Sequence, residues 1–466
     1  MSGAADRTTP ATGDGLSAAE DKMRAASVAD VAIATFAEQY SQLVGGERGL
    51  LPDSELEPAG EVPSLETLEH SGESPNALDR TVVIKLNGGL GTSMGLSRAK
   101  SLIEVKEGMS FLDLIVRQTL ALRRRYEVRL PLVMMNSFST RDETLAALER
   151  YPQLAADVPA DFVQNMEPKL RADDLHPVEW PDDPALEWCP PGHGDLYAAL
   201  QASGMLAELR ERGYDYAFVS NSDNLGAVLD ERILAWFAAE DIPFAMEVVE
   251  GTEADRKGGH IARHSDGRLV LRETAQVPDE DEASFRDFKR WRYYNTNSLW
   301  LNLGRLADTL AERDGVLGLP LIVNEKTVDP SDSDSTEVVQ LETAMGAAIA
   351  VFEGAQILQV PRTRFAPVKT TNDLLVLRSD AYELDDQAHV TPARERRGPA
   401  PLVDLDSKHY KLLRDFDARF PHGPPSLVAC EQLVVHGDVH FGSGVVVKGR
   451  VELDGPLQIE DRQTLR

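Results

Sequence analysis

Residues Thr81 to Val105 read TVVIKLNGGLGTSMGLSRAKSLIEV, and the fold is decided there. Thr81 to Leu86 is a short β-branched, apolar run, which predicts a buried parallel strand. The run stops at Asn87 and enters a turn holding Gly88, Gly89, Gly91 and Gly95. Clustered glycines let backbone come close to a ligand, leaving amide N–H groups free to face phosphate oxygens. Between residues 81 and 107 the cations Lys85, Arg98, Lys100 and Lys106 outnumber the anions Glu104 and Glu107. In a chain of formal charge −29 that local surplus suggests an anion site. The alternative is a glycine-rich turn without a ligand. Two commoner glycine motifs fail on spacing. A dinucleotide fingerprint starting at Gly89 and Gly91 would need a small residue where Met94 stands, which also excludes a nicotinamide-dependent dehydrogenase. A P-loop needs two glycines five apart before Lys-Ser, and Lys100-Ser101 follows Ala99 with no such pair.

With 466 residues the chain has room for two or three domains. The pI near 4.7 argues against nucleic-acid or anionic-membrane partners. Acidic stretches at Asp53–Glu73, Asp279–Glu282 and Asp329–Glu337 read as solvated loops. Cys189 and Cys430 are far apart and lack metal-ligand spacing, so a reducing cytoplasm is expected. No apolar run approaches a membrane span, and the N-terminus has no signal-peptide pattern.

Residues 1–16 are expected to be disordered, and Ser17–Leu43 to form a helix docking through Ile33, Phe36, Tyr40 and Leu43. Leu51–Leu78 reads as a connector, giving an N-terminal section of residues 1–78. From residue 79 to 378 strands and helices alternate. Strands are expected at Thr81–Leu86, Leu130–Met135, Asp161–Gln164, Tyr216–Val219, Phe244–Val249, Asn297–Leu303, Leu321–Val323 and Gln356–Val360. Helices are expected at Phe111–Tyr126, Thr140–Arg150 and Gln340–Ile349, and a hairpin at Ile261–Arg272. The pattern predicts an α/β fold with a doubly wound, mostly parallel sheet and ligands at strand C-terminal ends. Residues 379–425 read as a second connector. In 426–466 two apolar series repeat every six residues: Leu433, Val439, Val445, Val451, Leu457 and Val435, Phe441, Val447, Leu453, Ile459. That period predicts a short left-handed parallel β-helix. Its open end suggests homo-oligomerisation, the alternative being a stabilising appendage.

Polar clusters follow the expected strands. In FVQNMEP (162–168) the amide of Gln164 suits the edge of a base, though a lone Gln at a strand end is usually a solvated loop residue. PPGHGD (190–195) opens a helix pattern, either approaching an anion or forming a capping turn with a surface His193. In SNSDNLG (220–226) Asp223 could ligate Mg²⁺ beside phosphates or stabilise a turn. Gly258-Gly259 permits another close approach, and Glu273 could accept from sugar hydroxyls. Asn295 and Asn297 would share one side of an extended chain, with Ser298 on the other. In FAPVKTTNDLL (365–375) Lys369 is a surface cation or a phosphate ligand.

LNGGLGTSMG followed by Lys100-Ser101 closely resembles the signature of UTP–glucose-1-phosphate uridylyltransferases (UDP-glucose pyrophosphorylases) of the eukaryotic-like type. The resemblance runs from about Val82 to Leu377, plus the C-terminal tail. Arg98-Ala99 precede the lysine where the family often has Gly-Pro, and Ser298 replaces the last Asn of its NTNN run. The resemblance implies nucleotide binding by Leu86, Asn87, Gly88, Gly89, Gly91, Thr92, Gln164, Gly192 and His193, with Gln164 reading uracil. It implies sugar contacts from Asn221, Gly259, Glu273, Asn295 and Asn297, and Mg²⁺ held by Asp223. Lys100 and Lys369 are the expected catalytic cations. The implied reaction joins UTP and glucose 1-phosphate to give UDP-glucose and pyrophosphate. Two alternatives stand beside it: another sugar 1-phosphate, such as galactose or N-acetylglucosamine, or a non-catalytic nucleotide-sugar-binding protein. The second would not need Lys100, Lys369 and Asp223 together.

Overall fold

A computed structural model describes residues 12–68, 75–330 and 332–466. Of the expectation of disorder for residues 1–16, the part up to residue 11 lies outside them, and residues 12–16 are helical instead; part of the Leu51–Leu78 connector lies outside them as well. The described residues form a mixed α/β fold that divides into two compact units. The first draws on the described residues up to 68, on Phe162–Phe218 and on Arg232–Val360. The second draws on residues from 75 to Asp161, on Val219–Glu231 and on Pro361–Arg466. No described helix is long and apolar enough to cross a membrane.

The second unit is organised on the strand Thr81–Asn87, which pairs in parallel with Leu132–Asn136 in the register Val83↔Leu132 to Asn87↔Asn136. Val82, Val83 and Ile84 are buried, as a strand covered on both faces requires. The crossover helix Phe111–Tyr126 starts at a capping box: Ser110 Oγ accepts from Asp113 N–H at 3.1 Å, and Asp113 Oδ2 accepts from Ser110 N–H at 2.8 Å. A cap of this kind contributes about 1 kcal/mol. At the C-terminal end the apolar period builds parallel ladders: Leu433 faces Val451, Val439 faces Leu457 and Val447 faces Leu465. Each partner lies three six-residue periods further along the chain. Leu433, Val439, Val445, Val447 and Ile459 are buried between the ladders.

In the first unit Phe244–Glu250 pairs antiparallel with Tyr293–Asn302 and parallel with Gln356–Gln359. The hairpin His260–His264/Leu269–Arg272 turns at Asp266-Gly267, as its sequence predicts. Three expectations need correction here. The N-terminal helix is two helices, Thr12–Ala25 and Asp30–Val44, because Ser27 takes φ +59° between them. Ile33, Phe36, Tyr40 and Leu43 lie in one buried cluster with Leu170, Leu321 and Leu341. The expected connector contains a strand, Leu56–Pro58, antiparallel to His260–His264. The expected helix Gln340–Ile349 is a strand, Glu337–Glu342, followed by a 3-10 turn, Met345–Ala350. There Gly346 lies so close to Leu271 and Met246 that a Cβ would meet each at 2.8 Å, so tertiary packing overrides local helix propensity.

The acidic stretches are not all solvated. Arg272 is fully buried, and its guanidinium donates to Asp53 Oδ1 and to Asp281 Oδ2, at 2.5 and 3.2 Å. Asp53 also accepts from Arg290 at 2.7 Å, so the cluster ties the 53 and 281 turns to the hairpin. A buried guanidinium requires such partners.

Candidate active site

In the second unit the glycine turn is built by its own backbone. Gly91 N–H donates to Arg98 O at 3.2 Å, and Lys100 N–H donates to Gly89 O at 3.3 Å. Leu90 bridges Ala99, which is fully buried, so Arg98-Ala99 closes the turn without the proline. Gly89 is exposed, and a Cβ there would meet nothing within 4 Å. Thr92, in the 3-10 turn Thr92–Met94, is exposed as well, while Leu86 and Gly88 are half-buried.

Asn87 is 2% exposed and its side chain is spent inside the protein. Nδ2 donates to Asn136 Oδ1 at 2.8 Å and to Thr144 Oγ1 at 2.9 Å, while Oδ1 accepts from Ser222 Oγ at 3.3 Å. Its side chain therefore positions the turn. Ser222 N–H donates to Leu86 O at 3.1 Å, which sets the Asn221–Asp223 segment beside the end of the first strand.

Lys100 Nζ lies 2.7 Å from Asp223 Oδ2, with the two side chains 17% and 20% exposed. Asp223 Oδ1 is buried and has no hydrogen-bond partner among the described residues. Val368 N–H donates to Asp223 O at 3.1 Å, which places the exposed Lys369 next in sequence to that contact. Asp373 Oδ2 accepts from the N–H groups of Lys369 and Thr370, both at 2.8 Å, and so fixes the backbone from which Lys369 projects. Lys100, Asp223 and the Lys369 segment are thus gathered at one place, with Asn221 on the same segment as Asp223.

Lys85, expected from its charge to belong to the cations of an anion site, has its ammonium turned inside the protein instead. It is 3% exposed, and Nζ donates to Ser220 Oγ at 2.6 Å and to Ala227 O at 2.7 Å. It clamps both ends of the loop that carries Asp223. The only signal in the sequence is a lysine inside an apolar strand.

In the first unit Gly192 has φ +77° and ψ −179°, a region essentially restricted to glycine. A Cβ there would stand 2.7 Å from Thr343 O. His193 Nδ1 accepts from Met345 N–H at 2.9 Å, so the neutral ring carries its proton on Nε2. Burial pushes its pKa down to about 4, so it is a neutral donor at physiological pH. Gly194 N–H donates to Thr343 O at 2.8 Å, and Tyr197 OH to Met345 O at 2.7 Å.

Gly346, next to Met345, lies against the side chain of Asn295: its Cβ would be 3.3 Å from Asn295 Nδ2. Asn295 Nδ2 donates to Asn297 Oδ1 at 2.8 Å, and Asn295 N–H to Gly259 O at 3.0 Å. The strand is bulged here and Asn297 takes φ +56°, so the two amides meet through a bulge and not through regular alternation. A Cβ on Gly259 would stand 2.6 Å from the Glu273 carboxylate, so glycine lets that carboxylate lie flush on the backbone. Gly192, His193, Gly259, Glu273, Asn295 and Asn297 thus form one connected set. Gln164 directly follows the strand Asp161–Val163 and is half-buried.

Behind this set lie two buried carboxyls that sequence reasoning passed over, Glu167 and Asp195, 2% and 5% exposed. Burial, then Asp195 and Glu342, push the Glu167 carboxyl well above the usual range. Burial pushes Asp195 up to about 7, partly offset by the two donors of Asn165.

A glycine turn closed on a lysine–carboxylate pair at strand ends is the equipment of a nucleotide-handling α/β enzyme. The family model described as UTP–glucose-1-phosphate uridylyltransferase matches residues 34–448. The chain is 42% identical over 404 residues to a potato protein of that name, covering 86% of this chain and 81% of that one. It is 42% identical over 393 residues to the Saccharomyces cerevisiae counterpart, covering 84% and 77%. A Leishmania major UDP-glucose pyrophosphorylase mutant in complex with UDP-glucose superposes with a TM-score of 0.92 at 46% identity, covering 97% of this chain and 98% of that one. A Trypanosoma brucei structure gives 0.90 at 44% identity, over 97% and 98%. The chain belongs to the UTP–glucose-1-phosphate uridylyltransferase family.

Proposed function

We propose that the protein transfers the uridylyl group of UTP to glucose 1-phosphate, giving UDP-glucose and pyrophosphate, reversibly. Within a chain of this family, the observation that carries the reading is the Lys100–Asp223 pair set beside the glycine turn. A phosphate oxygen of glucose 1-phosphate attacks the α-phosphorus of UTP, a new P–O bond forms, and the bond to the bridging oxygen of pyrophosphate breaks. The attacking oxygen is already anionic, so no general base is required. Catalysis then rests on positioning and on stabilising charge.

Leu86, Asn87, Gly88, Gly89, Gly91 and Thr92 take the nucleotide, chiefly through backbone at Gly88 and Gly89. Gln164 reads uracil, while Gly192 and the neutral His193 donate to phosphate. Asn221, Gly259, Glu273, Asn295 and Asn297 bind the sugar. Lys100 serves the UTP phosphates and Lys369 the bridging charge.

Mg²⁺ fits Asp223. One carboxylate oxygen is orphaned, and the other holds a cation, Lys100, that a phosphate would attract away. No group of three or more acidic, His or Cys ligands exists among the described residues, so substrate phosphates would complete the coordination. Bound there, the ion would neutralise phosphate charge.

We also read residues 79–378 as the catalytic domain, doubly wound, between the 1–78 section and residues 379–425, expected to be a plain connector but including the strand Leu402–Leu405, parallel to Cys430–His436. Residues 426–466 are read as a left-handed β-helix that mediates self-association. Light scattering that stays oligomeric after deletion of 426–466 would rule out that last role. The cytoplasmic setting rests on Cys189 and Cys430 being buried and unpaired. Pyrophosphate release with UTP, ATP, GTP and CTP, each with glucose, galactose and N-acetylglucosamine 1-phosphates, tests the reading. UTP with glucose 1-phosphate is the expected preferred pair.

A further inference from the structure

We propose that Asp195 is a positioning residue for nucleotide recognition: by gripping Asn165 it fixes the backbone that carries Gln164 to the turn that carries His193. This rests on the roles given above to Gln164, Gly192 and His193.

Asp195 opens the helix Leu196–Ala202 but caps none of its N–H groups. Both of its oxygens are turned to one residue. Oδ2 accepts from Asn165 N–H at 2.6 Å, and Oδ1 accepts from Asn165 Nδ2 at 2.7 Å. Asn165 is the neighbour of Gln164, and Asp195 stands two residues after His193. The same turn is held on its other side by Thr343 O and by Met345 N–H. The grip therefore makes the Gln164 loop and the His193 turn one rigid piece. An ionised carboxylate accepts both donors at once with short, charge-assisted bonds, whereas an asparagine offers only one acceptor. Glu167, buried two residues beyond Asn165, adds a second carboxyl beside the first. Packing alone would favour apolar residues at such positions, so two buried carboxyls here point to a task in the site.

The test is calorimetric titration of the full chain with UTP and Mg²⁺, and separately with UDP-glucose, CTP as the competing base, and steady-state turnover. For Asp195→Asn, UTP affinity should fall about tenfold, the loss of one charge-assisted hydrogen bond. The preference for UTP over CTP should narrow, and KM for glucose 1-phosphate should stay within about twofold. Asn165→Ala, which removes the side-chain donor only, should move the same quantities less, and the double variant should fall short of the sum. Unchanged UTP affinity in either folded variant overturns the proposal. So does an equal loss for both substrates, or failure of both variants to fold, since each describes a merely structural role. Wild-type protein that binds UTP but makes no UDP-glucose would refute the proposed activity while leaving the Asp195 test intact. Wild-type protein that binds no UTP would refute both.

Discussion

Gly89→Ala separates a ligand-binding glycine from a structural one. Nothing lies within 4 Å of the Cβ that alanine would add, and Gly89 does not have positive φ. The bond from Lys100 N–H to Gly89 O involves backbone alone and survives the change. Alanine should therefore leave stability unchanged or raise it by about 0.4–1 kcal/mol, through the unfolded chain. The ligand sees a different surface. If phosphate approaches this backbone, the methyl displaces it and loosens at least one N–H···O⁻ bond worth about 1.5–3 kcal/mol. That corresponds to a loss of about ten- to a hundredfold in UTP affinity. Urea unfolding and calorimetric titration with UTP and Mg²⁺ measure the two quantities on one preparation. A stable variant that binds UTP within about twofold of wild type would refute phosphate binding at this turn.

Other outcomes follow from the same geometry. Gly192→Ala should destabilise the fold by about 2 kcal/mol or more, because a Cβ meets Thr343 O at 2.7 Å at a φ of +77°; an unfolding midpoint equal to wild type would contradict this. Lys369→Ala should lower kcat by about a hundredfold, the scale of one lost electrostatic stabiliser, and a near-normal kcat would remove Lys369 from catalysis. Asp195 binds its proton more tightly in the fold, with a pKa near 7, so ionising it costs stability as pH rises from the ordinary carboxylate range through that value. Unfolding free energies of Asp195→Asn minus wild type should therefore grow by about 3 kcal/mol between pH 5 and 8. A flat difference would place the Asp195 pKa near its ordinary value.

What the sequence revealed was local. The glycine turn and Lys100 are legible because their spacing lies within one strand-turn unit. Asp223 is legible because it follows an apolar strand directly. The six-residue period at the C-terminus is also local, and it becomes the ladders Leu433↔Val451 and Val439↔Leu457. What stayed hidden depends on distant partners. Lys85 reads as one of the cations of an anion site until Ser220 and Ala227 meet its ammonium. Asp53 and Asp281 read as solvent-facing charge until Arg272 is buried between them. The run after Gln340 has helix-forming composition, yet Glu337–Glu342 pairs with Ile322–Thr327 as a strand, and Gly346 packs against Leu271 and Met246 in the 3-10 turn. Asn295 and Asn297 were paired by alternation, but a bulge brings them together.

The most direct measurement is single-turnover formation of UDP-glucose from UTP, glucose 1-phosphate and Mg²⁺, comparing wild type with Asp223→Asn. Wild type should form UDP-glucose and pyrophosphate in equal amounts. The variant, keeping the size of the side chain but not its charge, should be slower by about a hundredfold or more. Equal rates, or a wild-type protein that forms no UDP-glucose, would contradict the assignment of this lysine–carboxylate centre to uridylyl transfer.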